Sequence, residues 1–130
     1  MRRGACAGAL IASLAFGAVG CGGGGESDKV KDTVKSFFVA LADRDGKKAC
    51  SLLSKALVAS AQVGSGDCAK SVKAVATQAV PDNKRSEARS IQVADIKIKG
   101  TTATAFAKGK KGKRQVTLVK EGGKWKLATL

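Results

Sequence analysis

The spacing of apolar residues changes once along this chain, near Ser90, and that change constrains the fold more than any motif does. Between Glu26 and Asp43, Val30, Val34, Phe37, Phe38 and Leu41 recur at spacings of four, three, one and three, which puts them on one face of a helix. Ser27 or Asp28 is placed to cap its start, and Asp43-Arg44-Asp45-Gly46 to end it with turn residues. A second helical pattern, Lys47 to about Ser60, turns Ala49, Cys50, Leu52, Leu53, Ala56 and Leu57 inward until Gly64-Ser65-Gly66 breaks it. Asp67 then caps a third helix reaching about Gln78, with Cys68, Val72 and Val75 at its buried positions. Pro81 to Arg89 is polar and charged and reads as a surface loop or a short irregular turn.

Beyond Ser90 the pattern becomes that of strands. Ile91, Val93, Ile96 and Ile98 mark one strand, followed by Thr101 to Lys108, Arg114 to Lys120 and Lys124 to Thr129. Gly100, Gly109 to Gly112 and Glu121-Gly122-Gly123 separate them at hairpin lengths, so an antiparallel meander is expected. Helices first and strands second predict an α+β domain, three N-terminal helices packed on a curved antiparallel sheet of about four strands.

The first twenty residues belong to neither pattern. Arg2 and Arg3 open the chain, and Ala5 to Val19 form an apolar run of about fifteen residues, the length of a secretion signal and short for a membrane span. Gly4, Ala5 and Cys6 after the arginine pair lack the context of a twin-arginine signal. Ala18-Val19-Gly20-Cys21 resembles the lipobox of bacterial lipoproteins, with Ala18 where Leu is usual. The resemblance implies removal of residues 1–20 and acylation of Cys21. Ordinary secretory cleavage after Phe16-Gly17-Ala18 is the other reading. Gly22 to Gly25 then form a flexible tether within residues 21–26, and residues 27–130 form the folded domain. Two acyl chains hold a protein to a bilayer stably. The expected location is the outer face of the bacterial cell membrane or the periplasmic side of an envelope membrane.

Beyond residue 20, twenty-two Lys and Arg face ten Asp and Glu, which favours polyanionic partners. For an exported protein these are anionic envelope polymers or phospholipid head groups rather than nucleic acid. Cys50 and Cys68 would share a disulfide-permissive compartment, where one bridge is the simple reading and two buried thiols the other. With no His and no third cysteine nearby, no metal site or cofactor is expected.

The paired Phe37-Phe38, the run Ala49-Cys50-Ser51-Leu52-Leu53, the second cysteine opening the next helix and the closing Gly122-Gly123-Lys124-Trp125-Lys126-Leu127 together resemble the NTF2-like superfamily, closest to its small exported lipoproteins. The resemblance implies a cone-shaped sheet wrapped on helices, whose interior either holds a small apolar molecule or is filled by side chains. Enzymes of that superfamily place Asp, His or Tyr inside the cone. This chain has no His or Tyr, leaving Asp95 as the candidate cavity carboxylate. Because the apolar alternation skips from Val93 to Ile96, a bulge at Ala94-Asp95 that turns Asp95 outward accounts better for the pattern. Trp125 either lines such a cavity or closes the core.

Lys108, Lys110, Lys111, Lys113 and Arg114 crowd one hairpin, joined on the outward side of a neighbouring strand by Lys97 and Lys99. They are the candidate anion contacts, with a merely solvated turn as the plainer reading. The sequence thus points to an anchored binding module, with a cavity enzyme or small-molecule carrier as the alternative.

Overall fold

The computed structural model describes residues 25–62 and 66–130, so the signal segment and Cys21 lie outside the described residues. Helix α1 (Glu26–Asp43) is followed by α2 (Gly46–Ser51), α3 (Lys55–Gln62) and α4 (Cys68–Ala79). A single 3-10 turn (Asp82–Lys84) and α5 (Arg85–Arg89) lead into β1 (Gln92–Lys99), β2 (Thr102–Gly109), β3 (Gly112–Glu121) and β4 (Lys124–Thr129). The strands form one antiparallel sheet in the order β1-β2-β3-β4, and the domain is α+β.

The sheet alternates as its sequence does. Ala103, Ala105 and Ala107 of β2, Val116 and Leu118 of β3, and Trp125 and Leu127 of β4 are buried on one face against Val30, Val34 and Phe37 of α1. Burying a side chain such as Leu118 or Leu127 stabilises the fold by about 1.5–3 kcal/mol. Helix α1 packs across this face, chiefly against β1 and β4 and less against β2. At the β3–β4 turn, Gly122 and Gly123 both take positive φ, 57° and 77°, as a two-residue hairpin with the right strand twist demands.

The helical half departs from the sequence reading in four places. The expected helix from Lys47 to Ser60 is two helices, because residues 52–54 instead pair with β4: Ser54 N–H donates to the Leu127 carbonyl at 2.7 Å and Leu127 N–H to that of Leu52 at 2.8 Å. Buried Ser54 then caps α3, its hydroxyl accepting from Leu57 N–H at 3.3 Å. Ala56, expected inward, is therefore exposed, as is Val75 on α4. The Pro81 to Arg89 segment is helical rather than a loop. Arg85 Nε–H donates to the Ala42 carbonyl at 2.6 Å, and Arg89 pairs with Asp43, so α5 seals the C-terminal end of α1. Finally, α1 begins after Gly25 with no side-chain cap, and neither Ser27 nor Asp28 serves as one.

Asp67 caps α4 by accepting from Ala69 and Lys70 N–H. Cys50 of α2 and Cys68 of α4 form a disulfide. Closing a loop of that length contributes about 3 kcal/mol on the chain-entropy account. No described helix is long and apolar enough to cross a membrane.

Candidate functional site

The β2–β3 hairpin turns through Lys110 and Lys111, between the paired Gly109 and Gly112. Lys108 and Lys113 stand directly opposite each other on the outer face, a like-charge pair that costs folding energy. Part of that cost is offset by Phe106, whose ring centroid lies 4.7 Å from Lys113 Nζ on the same face. Arg114 pairs with Ala107 and so occupies the helix-facing register. Among the described residues none of the five hairpin cations forms an ion pair with a carboxylate. Elsewhere Lys29, Arg44, Lys84, Arg85, Arg89 and Lys120 all do.

One carboxylate fixes this hairpin without neutralising its side chains. Glu87 of α5 accepts from the backbone N–H of Lys110 at 3.1 Å, and its other oxygen lies 3.6 Å from Lys84. The turn is thereby held against the helices with its ammonium groups in solvent. Beneath it opens a cleft of about 320 Å³ with an apolar floor of Phe38, Ile91 and Ala107 and a rim that includes Lys111 and Arg114. Nothing in the sequence flagged Glu87, which sits in a polar segment more than twenty residues before the turn it holds.

Lys97 and Lys99 share the outer face but not the hairpin. They pair with Thr104 and Thr102, which places them roughly 13 Å and 20 Å along β2 from Lys108 at about 3.3 Å per residue. Over residues 92–130 ten cations meet only Asp95 and Glu121, so the sheet half carries most of the excess charge.

The cavity candidates fare differently. Asp95 is exposed, at φ 52°, in a register break between Ala94 and Lys97, so it is no cavity carboxylate: the bulge turns its side chain away from the helices. Trp125 is 3% exposed and packs in the core, its indole N–H donating to Glu26 Oε2 at 2.6 Å. That same carboxylate receives Lys120 at 3.1 Å and Lys29 at 3.2 Å. An apolar groove of about 440 Å³ opens instead among the helices, between Phe37 and Leu41 of α1, Leu57 of α3, Val72 and Val75 of α4, and Leu130. Among the described residues no cluster of three metal-ligating side chains occurs.

The hydrogen bond from Trp125, then those from Lys120 and Lys29, lower the Glu26 carboxyl from its ordinary 4.5 to about 2. A depressed folded-state pKa means stability present above the ordinary value and lost as pH falls toward the folded one. The urea midpoint should therefore decline between pH 4.5 and 2, and Glu26→Gln should flatten part of that decline. Asp43, lowered by Arg89, supplies a dependence of the same sign that remains. The Glu26 side chain is 39% exposed, so added salt should shrink the effect. An unchanged pH profile in Glu26→Gln would show that the cluster does not act on folding.

In comparison with family models, curated proteins and solved structures, none matches this chain.

Proposed function

We propose that this chain is an exported lipoprotein, acylated on Cys21, whose NTF2-like domain is a binding module that contacts anionic envelope polymers or lipid head groups through the β2–β3 hairpin. The observation that carries this reading is a cluster of five cations, unpaired with carboxylates among the described residues and held on a hairpin fixed by Glu87. A purely solvating turn needs no such fixing. The α+β order, with the helices preceding a single antiparallel meander, supports the NTF2-like architecture, and the residues around Cys21 support the anchor.

The test is binding of residues 25–130 to polyphosphate and to phosphatidylglycerol vesicles over a salt series. Each cation near an anionic surface contributes about 1 kcal/mol, so Lys110→Ser, Lys111→Ser and Lys113→Ser together should weaken binding about 100-fold. Binding should also fall steeply with salt. No binding at low salt, or equal binding by the triple variant, would sink the hairpin as the functional surface.

Small-molecule carriage, the second reading, is favoured by the apolar groove, where Val75 is 61% and Leu130 47% exposed. Saturable uptake of an uncharged fluorescent probe, unaffected by salt and lost on Val75→Lys, would favour it.

A further inference from the structure

The start of α1 and the basic hairpin lie at opposite ends of the described domain. The described chain enters α1 at Glu26, whose carboxylate binds Trp125 and Lys120 beside the β3–β4 turn. From there α1 runs eighteen residues, about 27 Å at 1.5 Å per residue. Its far end is clasped by α5, through Arg89 to Asp43 and Arg85 to the Ala42 carbonyl, and α5 in turn holds Lys110 of the basic hairpin. Strand β3 gives a second ruler: its ten residues from Gly112 to Glu121 span about 30 Å at about 3.3 Å per residue. Two independent elements therefore separate the chain's entry point from the basic hairpin by nearly the full length of the domain.

Resting on the reading above, we infer that the hairpin is directed away from the anchoring bilayer, and that its partner is a linear polyanion standing beyond the head groups. Residues 21–25 reach at most about 17 Å when fully extended. When the domain stands upright on that flexible tether, its hairpin lies several Debye lengths from the lipid, since the Debye length is about 8 Å at physiological salt. At that distance the surface potential of the anchoring membrane exerts little pull on the hairpin. The charges also point outward along the long axis: Lys110 and Lys111 form the tip, and Lys111 and Arg114 rim the cleft facing α5. Laying the outer face of the sheet on the bilayer would engage Lys97, Lys99, Lys108 and Lys113 but not Arg114, which occupies the helix-facing register. A phosphodiester or polycarboxylate chain running past the tip meets Lys110 and Lys111 there, with Lys108 and Lys113 on the outer face and Arg114 on the helix-facing side of the same hairpin.

The experiment uses the acylated full chain in vesicles, with a fluorophore on Ser86→Cys in α5 or on Lys124→Cys beside the β3–β4 turn, and an acceptor-labelled lipid. The Ser86 label should lie some 25–30 Å farther from the lipid plane than the Lys124 label, in phosphatidylcholine and phosphatidylglycerol alike. Polyphosphate capture by the anchored chain should be equal on the two lipids within about twofold, because the hairpin lies outside the range of the lipid field. Equal heights of the two labels on phosphatidylglycerol, with capture suppressed there, would overturn the orientation and make the bilayer itself the partner. An upright domain that captures no polyphosphate would overturn the role of the hairpin instead. Absence of acyl chains on Cys21 would overturn the anchor.

Discussion

Gly46→Ala is expected to destabilise the domain by about 3 kcal/mol or more, at the upper end for overpacking. A Cβ at position 46 would stand 2.0 Å from the Ala69 carbonyl oxygen and 2.8 Å from its carbon, both backbone atoms of α4. No rotamer relieves such an overlap. Nor can α2 and α4 separate to absorb it, since the Cys50–Cys68 disulfide clamps the same two helices, four residues beyond Gly46 and one before Ala69. The strain must then pass into the first turn of α2, where Asp45 accepts from Lys48 N–H. Urea unfolding of the oxidised protein would measure the loss. Gly25→Ala serves as control, because a Cβ there meets nothing within 4 Å among the described residues and the backbone is ordinary. A Gly46→Ala midpoint indistinguishable from that control would mean that the helices do not approach as described.

Trp125→Ala should cost about 3–5 kcal/mol, the range for removing a large buried aromatic side chain. Trp125 closes the core at the β3–β4 turn end of the sheet, among fully buried neighbours that include Val30 and Leu127. Trp125→Phe keeps much of the packing and loses only the indole donor to Glu26, so its loss should be clearly smaller. The pair of variants separates two roles for this residue. Filling the core predicts a large loss for Ala and a modest one for Phe, whereas lining a ligand cavity predicts near-normal stability for both and altered ligand uptake. Denaturant midpoints for the two variants, read by circular dichroism, decide between them.

These outcomes bear on function through the rigidity of the frame. The separation between the start of α1 and the hairpin is only as fixed as α1, its seal by Trp125 and Glu26 at one end, and its clasp by α5 at the other. Loss of the Trp125 seal would free the α1 start from the β3–β4 turn. Loss of Glu87 would free the hairpin, leaving the charges but not their placement.

The sequence by itself determined the change of period near Ser90, the four strands and their turns, the inward row from Val30 to Phe37 and the Asp67 cap, and it offered the Cys50–Cys68 bridge as the simpler of two readings. Those features rest on local rules: helical and strand periods, capping chemistry, glycine at positive φ and the parity of cysteines. The bulge at Asp95 was legible too, since a skipped alternation can be read directly along the chain. Only the tertiary structure decided that Leu52 to Ser54 leaves the helix to pair with Leu127, because that choice depends on the edge of a strand more than seventy residues away. The same holds for Gly46, whose lack of a side chain serves a close helix crossing rather than a turn; the left-handed residue ending α1 is Arg44, at φ 57°. Glu26 and Glu87 carried no local signal, because each finds its partners across long stretches of sequence: Trp125 for the first, Lys110 for the second. Charge was countable from the residues alone. Its direction relative to the start of α1 was not, since that depends on which end of the sheet α1 enters, and that is a property of packing.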